Sequence, residues 1–144
     1  MFSKACEYGI RASTYIALQS LKNKRVSLKE IAREIDSPVA FTAKILQQLS
    51  KNQIIDSVKG ATGGFEIRRN RIDSIKLSEI VHAIDGDKVF IGCGLGLKKC
   101  IADHPCPVHE KFVHIRDNLN HMLEGTSLYE MTIGLEIGLT HLKH

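Results

Sequence analysis

Three of the four cysteines stand close together in the second half of the chain, at Cys93, Cys100 and Cys106. In a reducing compartment, such a group more often indicates a metal or redox site than a framework of disulfides. The six residues between the first two cysteines and the five between the next two exceed the spacing typical of zinc sites. Wide spacing suits a larger inorganic group, so this segment predicts an iron–sulfur cluster more strongly than a structural zinc ion.

Cluster ligation normally takes four protein groups, and the segment offers two histidines as the fourth. His109 follows Cys106 by three residues at the predicted start of a helix, so both side chains can point the same way after one turn. His104 is the local alternative, but it precedes Pro105, and the extended backbone expected there leaves it free to face solvent. The spacing favours His109 and leaves His104 open.

Two lysines, Lys98 and Lys99, adjoin Cys100. Positive charge beside a thiol favours the thiolate form, which promotes metal binding and also oxidation. A thiol switch that works without any metal therefore stays open as a second interpretation of this segment.

The first half of the chain carries the pattern of a helix-turn-helix. Apolar residues at helical spacing predict a first helix from Lys4 to Leu21. Ser27 and Glu30 form a capping box that opens a short second helix, which ends at Asp36. Ser37-Pro38 then starts a third helix, with Ser37 as the N-cap and Pro38 at the first helical position. Its inner face is predicted to hold Phe41, Ile45, Leu46 and Leu49, and its outer face Thr42, Lys44, Gln47 and Gln48.

A β-hairpin is predicted directly after these helices. Strand-like residues 54–59 and 65–68 flank a loop from Gly60 to Gly64, whose glycines permit positive backbone angles. A hairpin at this place is typical of a wing, and its tip, next to Lys59, can approach a phosphate backbone or enter a minor groove. A surface hairpin without a role in DNA binding is the plainer alternative.

The second half is predicted to be helical on both sides of the cysteine segment. A helix from Ser74 to Asp85 ends at Gly86, and the loop from there to Pro107 is long enough to need an organising element or to be mobile. A last helix opens at a second capping box, formed by Ser127 and Glu130, and its apolar residues continue as far as Leu139.

The helix between these two has a heptad-like seam and ends at Gly125. Such a seam packs against its own copy in a dimer or is covered within the same chain. The seam consists of Val108, Phe112, Ile115, Leu119 and Met122.

Composition and charge exclude several classes of protein. A chain of 144 residues with 43% hydrophobic and 25% charged residues is ordinary for one globular domain. No apolar run approaches the roughly 18 residues of a membrane span, and the first residues lack the features of a signal peptide, so a cytoplasmic protein without a membrane partner is expected. Residues 1–76 hold 14 Lys or Arg against 7 Asp or Glu, whereas residues 77–144 hold 6 against 9. The basic half suits nucleic acid or is simply a solvated lysine-rich face.

Together these segments resemble the Rrf2 family of bacterial transcription regulators. The resemblance covers nearly the whole chain, and the wing and the cysteine loop are specific as a pair. It implies a homodimeric winged helix-turn-helix protein with the seam helix at the dimer interface. The residues that carry it are Ser3-Lys4, Tyr8 to Ala12, Ile31-Ala32, the run from Phe41 to Leu49, the wing from Val58 to Phe65 and the three cysteines.

The resemblance also implies a ligand set. In one group of the family, three cysteines and the histidine of a Cys-x-x-His motif bind a [2Fe–2S] cluster, and these are Cys93, Cys100, Cys106 and His109 here. In another group, the fourth ligand is an acidic residue from the first helix of the partner chain, and Glu7 stands at that position. Both candidates are present, so the fourth ligand stays open, and a [4Fe–4S] cluster is the alternative to [2Fe–2S]. One additional residue separates the first two cysteines here, compared with the spacing more common in the family.

The predicted fold is mainly α with a small β-hairpin: a winged helix-turn-helix with a long C-terminal dimerisation helix. Residues 1–76 form the DNA-binding region and residues 77–144 the cysteine-loop and dimerisation region of one continuous globular unit. The predicted function is a homodimeric transcription regulator that binds double-stranded DNA and senses iron–sulfur status, nitric oxide or redox state through its cluster. The predicted DNA-contacting residues are Thr42, Lys44 and Gln47 in the major groove and Lys59, Gly63 and Gly64 in the wing.

Two alternatives differ in mechanism or class. A regulator of the same family can work without a cluster, under the control of thiol oxidation, zinc or a protein partner. A small iron–sulfur redox protein uses the same cysteines but leaves the basic half and the wing unexplained. No catalytic motif is identified, so we expect no enzymatic activity.

Overall fold

A computed structural model describes residues 1–143 of the chain. The fold is mainly helical with one antiparallel hairpin, which confirms the predicted class. No helix in the described residues is both long and apolar enough to cross a membrane. The elements are α1 (Lys4–Leu21), α2 (Leu28–Glu34), α3 (Val39–Lys51), β1 (Asp56–Val58), β2 (Gly64–Glu66), α4 (Arg69–Ile72), α5 (Leu77–Asp85), α6 (Lys88–Ile91), α7 (His109–Gly125) and α8 (Leu128–Glu136).

Helix α1 lies at the centre of the molecule and packs against α3, α5 and α8. Its first turn is capped by Ser3, whose hydroxyl oxygen accepts from the Cys6 amide at 3.0 Å. Cys6, Ala12 and Ile16 are fully buried on its inner face. One apolar core therefore joins the helix-turn-helix to the C-terminal helices.

The helix-turn-helix forms by local capping, with one difference from the prediction. The capping box of Ser27 and Glu30 is present, and α2 ends before Asp36, which has a φ of 53°. Helix α3 begins one residue later than predicted, because Pro38 with an extended ψ of 138° is its N-cap. The assignment of Ser37 as N-cap was wrong: its hydroxyl is buried without a hydrogen-bond partner among the described residues.

The wing consists of β1 and β2, which are shorter than the predicted strands. Their register pairs Asp56 with Glu66 and Val58 with Gly64. Gly60 and Gly64 have φ angles of 106° and 138°, which only glycine adopts without strain, so the glycine-rich loop behaves as predicted. The shortening has a simple cause: the flanking Ile54, Ile55 and Ile67 turn into the core instead of continuing the ladder.

Helix α5 begins at Leu77 and not at Ser74 as predicted. The preceding residues pair with the segment between α7 and α8: Leu77 N–H donates to Thr126 O at 2.9 Å, and Leu128 N–H donates to Ile75 O at 2.8 Å. This bridge between distant segments holds the backbone extended and delays the helix. Gly86, with a φ of 68°, ends α5 as predicted.

Helix α8 has the predicted N-cap, where Ser127 Oγ accepts from the Glu130 amide at 3.1 Å, but among the described residues the Glu130 carboxylate does not accept from the Ser127 amide, so the predicted capping box is half formed. The helix ends earlier than the predicted Leu139. Gly138 has a φ of 73°, and the amides of Leu139 and Thr140 both donate to Gly134 O. These hydrogen bonds satisfy carbonyl acceptors in the last turn of α8, and the helix therefore ends before Leu139.

Truncation in the core is expected to be costly. Ile80 on α5 is fully buried in the common core, so Ile80→Ala should lower the free energy of unfolding by about 2–5 kcal/mol. Leu139→Ala is the control, because Leu139 is 77% exposed and its truncation should change stability by less than about 0.5 kcal/mol. Urea denaturation at one fixed protein concentration measures both, and equal losses would contradict this assignment of the core.

Candidate DNA-binding surface and metal centre

The outer face of α3 presents polar and small apolar side chains to solvent. Lys44, Gln47 and Gln48 are exposed, as predicted for the second helix of a helix-turn-helix. Val39 and Ala40, in the first turn, are exposed as well and were not among the predicted contacts. Lys can bind guanine or phosphate, Gln can read adenine, and small apolar side chains contact the thymine methyl group.

Thr42 does not lie on this outer face, and its predicted exposure was wrong. Its side chain is fully buried, and its hydroxyl donates to Pro38 O at 2.9 Å. The reason is helical periodicity: Ile45, Leu46 and Leu49 follow Thr42 at three, four and seven positions and share its face. Thr42 therefore supports the start of α3 and cannot reach a base in this conformation.

The tip of the wing consists of small residues. Lys59 is exposed next to it, and Gly63 is half-buried, so close to Val58 O that a Cβ atom would lie at 2.1 Å. Gly64 is enclosed in a similar way, because a Cβ there would lie 2.7 Å from Val26 O. These two glycines allow close backbone packing in the wing, and Lys59 supplies the positive charge at its tip.

Two of the predicted ligands of the cysteine segment, Cys100 and His109, lie in contact. His109 Nδ1 is 3.4 Å from Cys100 Sγ, and Cys106 is close enough to Cys93 to help lower the pKa of the Cys93 thiol. A turn links His109 to Cys106, with the His109 amide donating to Cys106 O at 3.0 Å, but the side-chain contact of His109 is with Cys100 and not with Cys106 as expected. Among the described residues, no three His, Cys, Asp or Glu side chains converge closely enough to hold a single metal ion.

The Cys93 thiolate is stabilised by hydrogen bonds from the loop around it. Backbone N–H groups of Leu95 and Leu97 lower the pKa of Cys93, and the Cys106 thiol adds to this effect. Gly96, with a φ of 75°, allows the chain to turn back, and its amide donates to Cys93 O at 3.0 Å. The turn at Gly96 thus lets the loop fold back around Cys93, where its backbone N–H groups lower the pKa of the thiol.

Cys93 and Cys100 both line an open cavity of about 800 Å³ between α6 and the cysteine segment. Apolar side chains at its rim, Ile91, Leu97 and Ile101, are exposed. The cavity is large enough for a small inorganic group or a small ligand.

The remaining candidates have different surroundings. His104 is exposed, and Glu7 is exposed on the first turn of α1, 3.4 Å from the Lys4 ammonium group. Cys6 is fully buried in the core. Burial, with a contribution from the Asp85 carboxylate, raises the pKa of Cys6 to about 12. Cys6 is thus a structural residue, distinct from the three cysteines of the loop.

The sequence profile of one family, described as Rrf2, iron-dependent transcriptional regulator, matches residues 2–133. An HTH-type transcriptional regulator of Aquifex aeolicus (strain VF5) is 31% identical over 133 residues, which cover 91% of this chain and 90% of that protein. The HTH-type transcriptional regulator IscR of Photorhabdus laumondii is 24% identical over 130 residues, covering 90% of this chain and 77% of that one.

Known structures share the fold. CymR, the global cysteine regulator of B. subtilis, superimposes with a TM-score of 0.74 at 20% identity, over 92% of this chain and 96% of that one. IscR of T. potens gives a TM-score of 0.74 at 21% identity, over 98% of this chain and 92% of that one. At this identity the likeness concerns the fold alone.

Thiol reactivity should separate the cysteines. In the native, metal-free protein at mildly alkaline pH, alkylation should modify the three loop cysteines and spare Cys6, which should react only after unfolding. Because its pKa is lowered, Cys93 should keep reacting at a pH where an ordinary thiol has slowed. Mass spectrometry of labelled peptides measures this, with Cys93→Ser as the control that removes the fastest site. Equal rates at all four positions would contradict the described geometry.

Burial of Cys6 also predicts a pH dependence of stability. Its pKa is about 12 in the folded chain against an ordinary 9.0, so the folded state keeps a proton that the unfolded state loses. The contribution of the neutral thiol is fully present below about pH 9 and should decline as pH rises towards 12. Cys6→Ser measured by urea denaturation should reduce this alkaline slope, and an unchanged slope would contradict it.

Proposed function

The chain belongs to the Rrf2 family of transcriptional regulators, and from this premise we propose that it is a homodimeric DNA-binding regulator controlled by an iron–sulfur cluster. The observation that supports the cluster is the contact of His109 Nδ1 with Cys100 Sγ at the start of α7, in a segment that also holds Cys93 and Cys106. Membership of the family makes the chain a DNA-binding regulator and not an enzyme.

The donor set fits a two-iron cluster in kind and in number. Each iron of a [2Fe–2S] cluster takes two protein ligands, and thiolate with imidazole is an established combination. Three cysteines and one histidine match the four protein ligands that such a cluster takes, and the wide spacing of the cysteines differs from that typical of zinc sites. A [4Fe–4S] cluster, with Glu7 of the partner subunit as the fourth ligand, is the alternative within this proposal. When bound, the cluster supplies one-electron redox chemistry.

A dimer through α7 is supported by its unpartnered apolar face. Ile115 is 61% exposed and Met122 is 46% exposed, while Phe112 and Leu119 of the same seam are half-buried. Large apolar residues repeated in this way on one helix favour packing against a second copy. The seam begins next to His109, so the dimer contact and the ligands adjoin one another.

In the proposed complex, α3 of each subunit enters a major groove, with Lys44 and Gln47 facing the bases. Lys59 follows the phosphate backbone, and the compact Gly63-Gly64 backbone lets the wing approach the minor groove. Half-sites on DNA lie about 34 Å apart, so a small rotation of the two subunits changes how well both helices fit. The proposed cluster ligands adjoin the N-terminal end of α7, the helix proposed to form the dimer. Cluster binding there would therefore favour one relative orientation of the two subunits.

Control without a cluster is the second candidate, and the Cys93 environment favours it. A thiol whose pKa is lowered by backbone N–H groups reacts readily with oxidants, and Cys106 lies beside it. Under this alternative, the loop responds to oxidation directly while the DNA-binding surface stays the same.

Replacement of the three loop cysteines tests the cluster. The variant Cys93→Ser/Cys100→Ser/Cys106→Ser should lose the visible charge-transfer absorption and the iron and sulfide that the anaerobically purified wild type contains. Its promoter binding should no longer respond to iron depletion or to nitric oxide. Cys6→Ser is the matched control and should keep both properties. Full iron content in the triple variant, or a wild type that binds zinc alone, would overturn the cluster proposal and leave the DNA-binding role standing.

Substitutions on α3 and the wing test the DNA surface. Lys44→Ala and Lys59→Ala should each weaken binding and lower the slope of log K against log salt by about 0.9 for each phosphate that is no longer neutralised. Gln47→Ala should cost roughly 1–3 kcal/mol at one base pair and relax the preference there. Lys111→Ala, an exposed lysine on α7, is the control and should change little. Titration of labelled promoter DNA at several salt concentrations measures these effects, and equal losses in all four variants would contradict the surface.

A further inference from the structure

Val26, in the segment that joins α1 to α2, forms an isolated antiparallel bridge to the wing. Val26 N–H donates to Phe65 O at 3.1 Å, and Phe65 N–H donates to Val26 O at 2.8 Å. Ser27, the next residue, caps α2. The second strand of the wing is therefore attached to the residues immediately before the helix-turn-helix.

Arg25 extends this attachment to the tip of the wing. Its Nε donates to the Glu66 carboxylate at 3.0 Å, and its Nη1 donates to Thr62 O at 3.3 Å. The tip itself is closed by one backbone hydrogen bond, from Gly63 N–H to Gly60 O at 3.0 Å. Among the described residues, Arg25 makes the one side-chain hydrogen bond that reaches residues 59–63 from outside the hairpin. Its planar guanidinium is suited to hold two acceptors at fixed positions.

The wing has little other support on this side. It faces an open cleft of about 930 Å³ instead of packed side chains, and Arg25, Thr62 and Glu66 lie at its edge. Arg25 and Glu66 are themselves partly exposed, with 40% and 31% of their side-chain surface accessible. Exposed ion pairs add little to the stability of a fold, so the effect of Arg25 should fall on the orientation of the tip.

We propose that Arg25 is a positioning residue that fixes the wing tip relative to the helix-turn-helix. The inference rests on the proposed function, in which α3 reads the major groove while the wing approaches the backbone beside it. Simultaneous contact requires a set distance between these elements, and Arg25 lies on the segment that joins them. Without the two hydrogen bonds from Arg25, the wing tip samples more orientations. DNA binding must then order the tip, which lowers the affinity.

The test begins with the free protein. Arg25→Ala and Glu66→Val should both lower the NMR order parameters of residues 60–63 from about 0.85 to below about 0.6. Lys24→Ala is the matched control, because it removes a neighbouring exposed charge for which the described residues contain no ion pair. It should leave the order parameters unchanged. All three variants should keep the wild-type melting temperature to within about 2 °C, since an exposed pair contributes little to stability.

Hydroxyl-radical footprinting on promoter DNA is the second measurement. Both Arg25→Ala and Glu66→Val should lose protection in the minor groove next to each half-site and bind roughly two- to tenfold more weakly, the range expected for ordering a few groups on binding. Protection at the α3 contacts should remain. The double variant should be no weaker than the weaker single variant, because both substitutions remove the same attachment.

A direct phosphate contact by Arg25 gives a different pattern and would overturn the proposal. Glu66→Val would then keep an ordered tip and its footprint, while Arg25→Ala alone would weaken binding and lower the salt slope by about 0.9. Unchanged order parameters in both variants would overturn it as well. If the wild type shows no minor-groove protection, the wing part of the proposed function fails, and the order parameters still decide whether Arg25 holds the tip.

Discussion

Close packing between α1 and α5 is the contact on which the positions of the helix-turn-helix and of the cysteine segment both depend. Gly9 lies so near Ile84 that a Cβ atom at position 9 would be 2.1 Å from Ile84 Cδ1. At the end of the same interface, the Ser3 amide donates to the Asp85 carboxylate at 2.9 Å. Helix α1 also packs against α3, and α5 leads through α6 into the cysteine segment. Helix α3 and the helix that leads towards the cysteine segment are therefore both positioned against α1.

The cysteine segment is held less tightly than this interface, and mainly by α7. Arg116 Nη1 donates to Gly92 O at 2.9 Å, and Asn120 Nδ2 donates to Phe90 O at 3.2 Å. Phe90 in turn stacks on His82, with ring centroids 4.0 Å apart. Few buried apolar contacts support the residues beyond α6, so local rearrangement there costs less than rearrangement of the core. A group held by the four donors would act first on α7, which is the helix proposed to form the dimer.

Features encoded within a few residues could be predicted from the sequence, and features that depend on distant partners could not. The capping box at Ser27, the glycine turn of the wing and the end of α5 at Gly86 follow from local chemistry. The late start of α5 depends on pairing with Thr126, which no local pattern reveals. Likewise, the neighbour of His109 is Cys100, nine residues away, because the loop folds back on α7. Thr42 is different, since its spacing to Ile45, Leu46 and Leu49 already indicated a buried position.

Burial divides the molecule into a rigid frame and two adjustable regions. The frame consists of fully buried aliphatic side chains such as Ile16, Ile80 and Leu128, whose removal from water provides most of the stability. The wing depends instead on hydrogen bonds and exposed ion pairs, and the cysteine segment on hydrogen bonds, each of which contributes little to the free energy of unfolding. Because these contacts are individually weak, a ligand or a DNA backbone can reorganise either region without disturbing the frame. Under the proposed function, such a division would let a small change at the cysteine segment alter the position of α3 in each subunit while the fold itself stays intact.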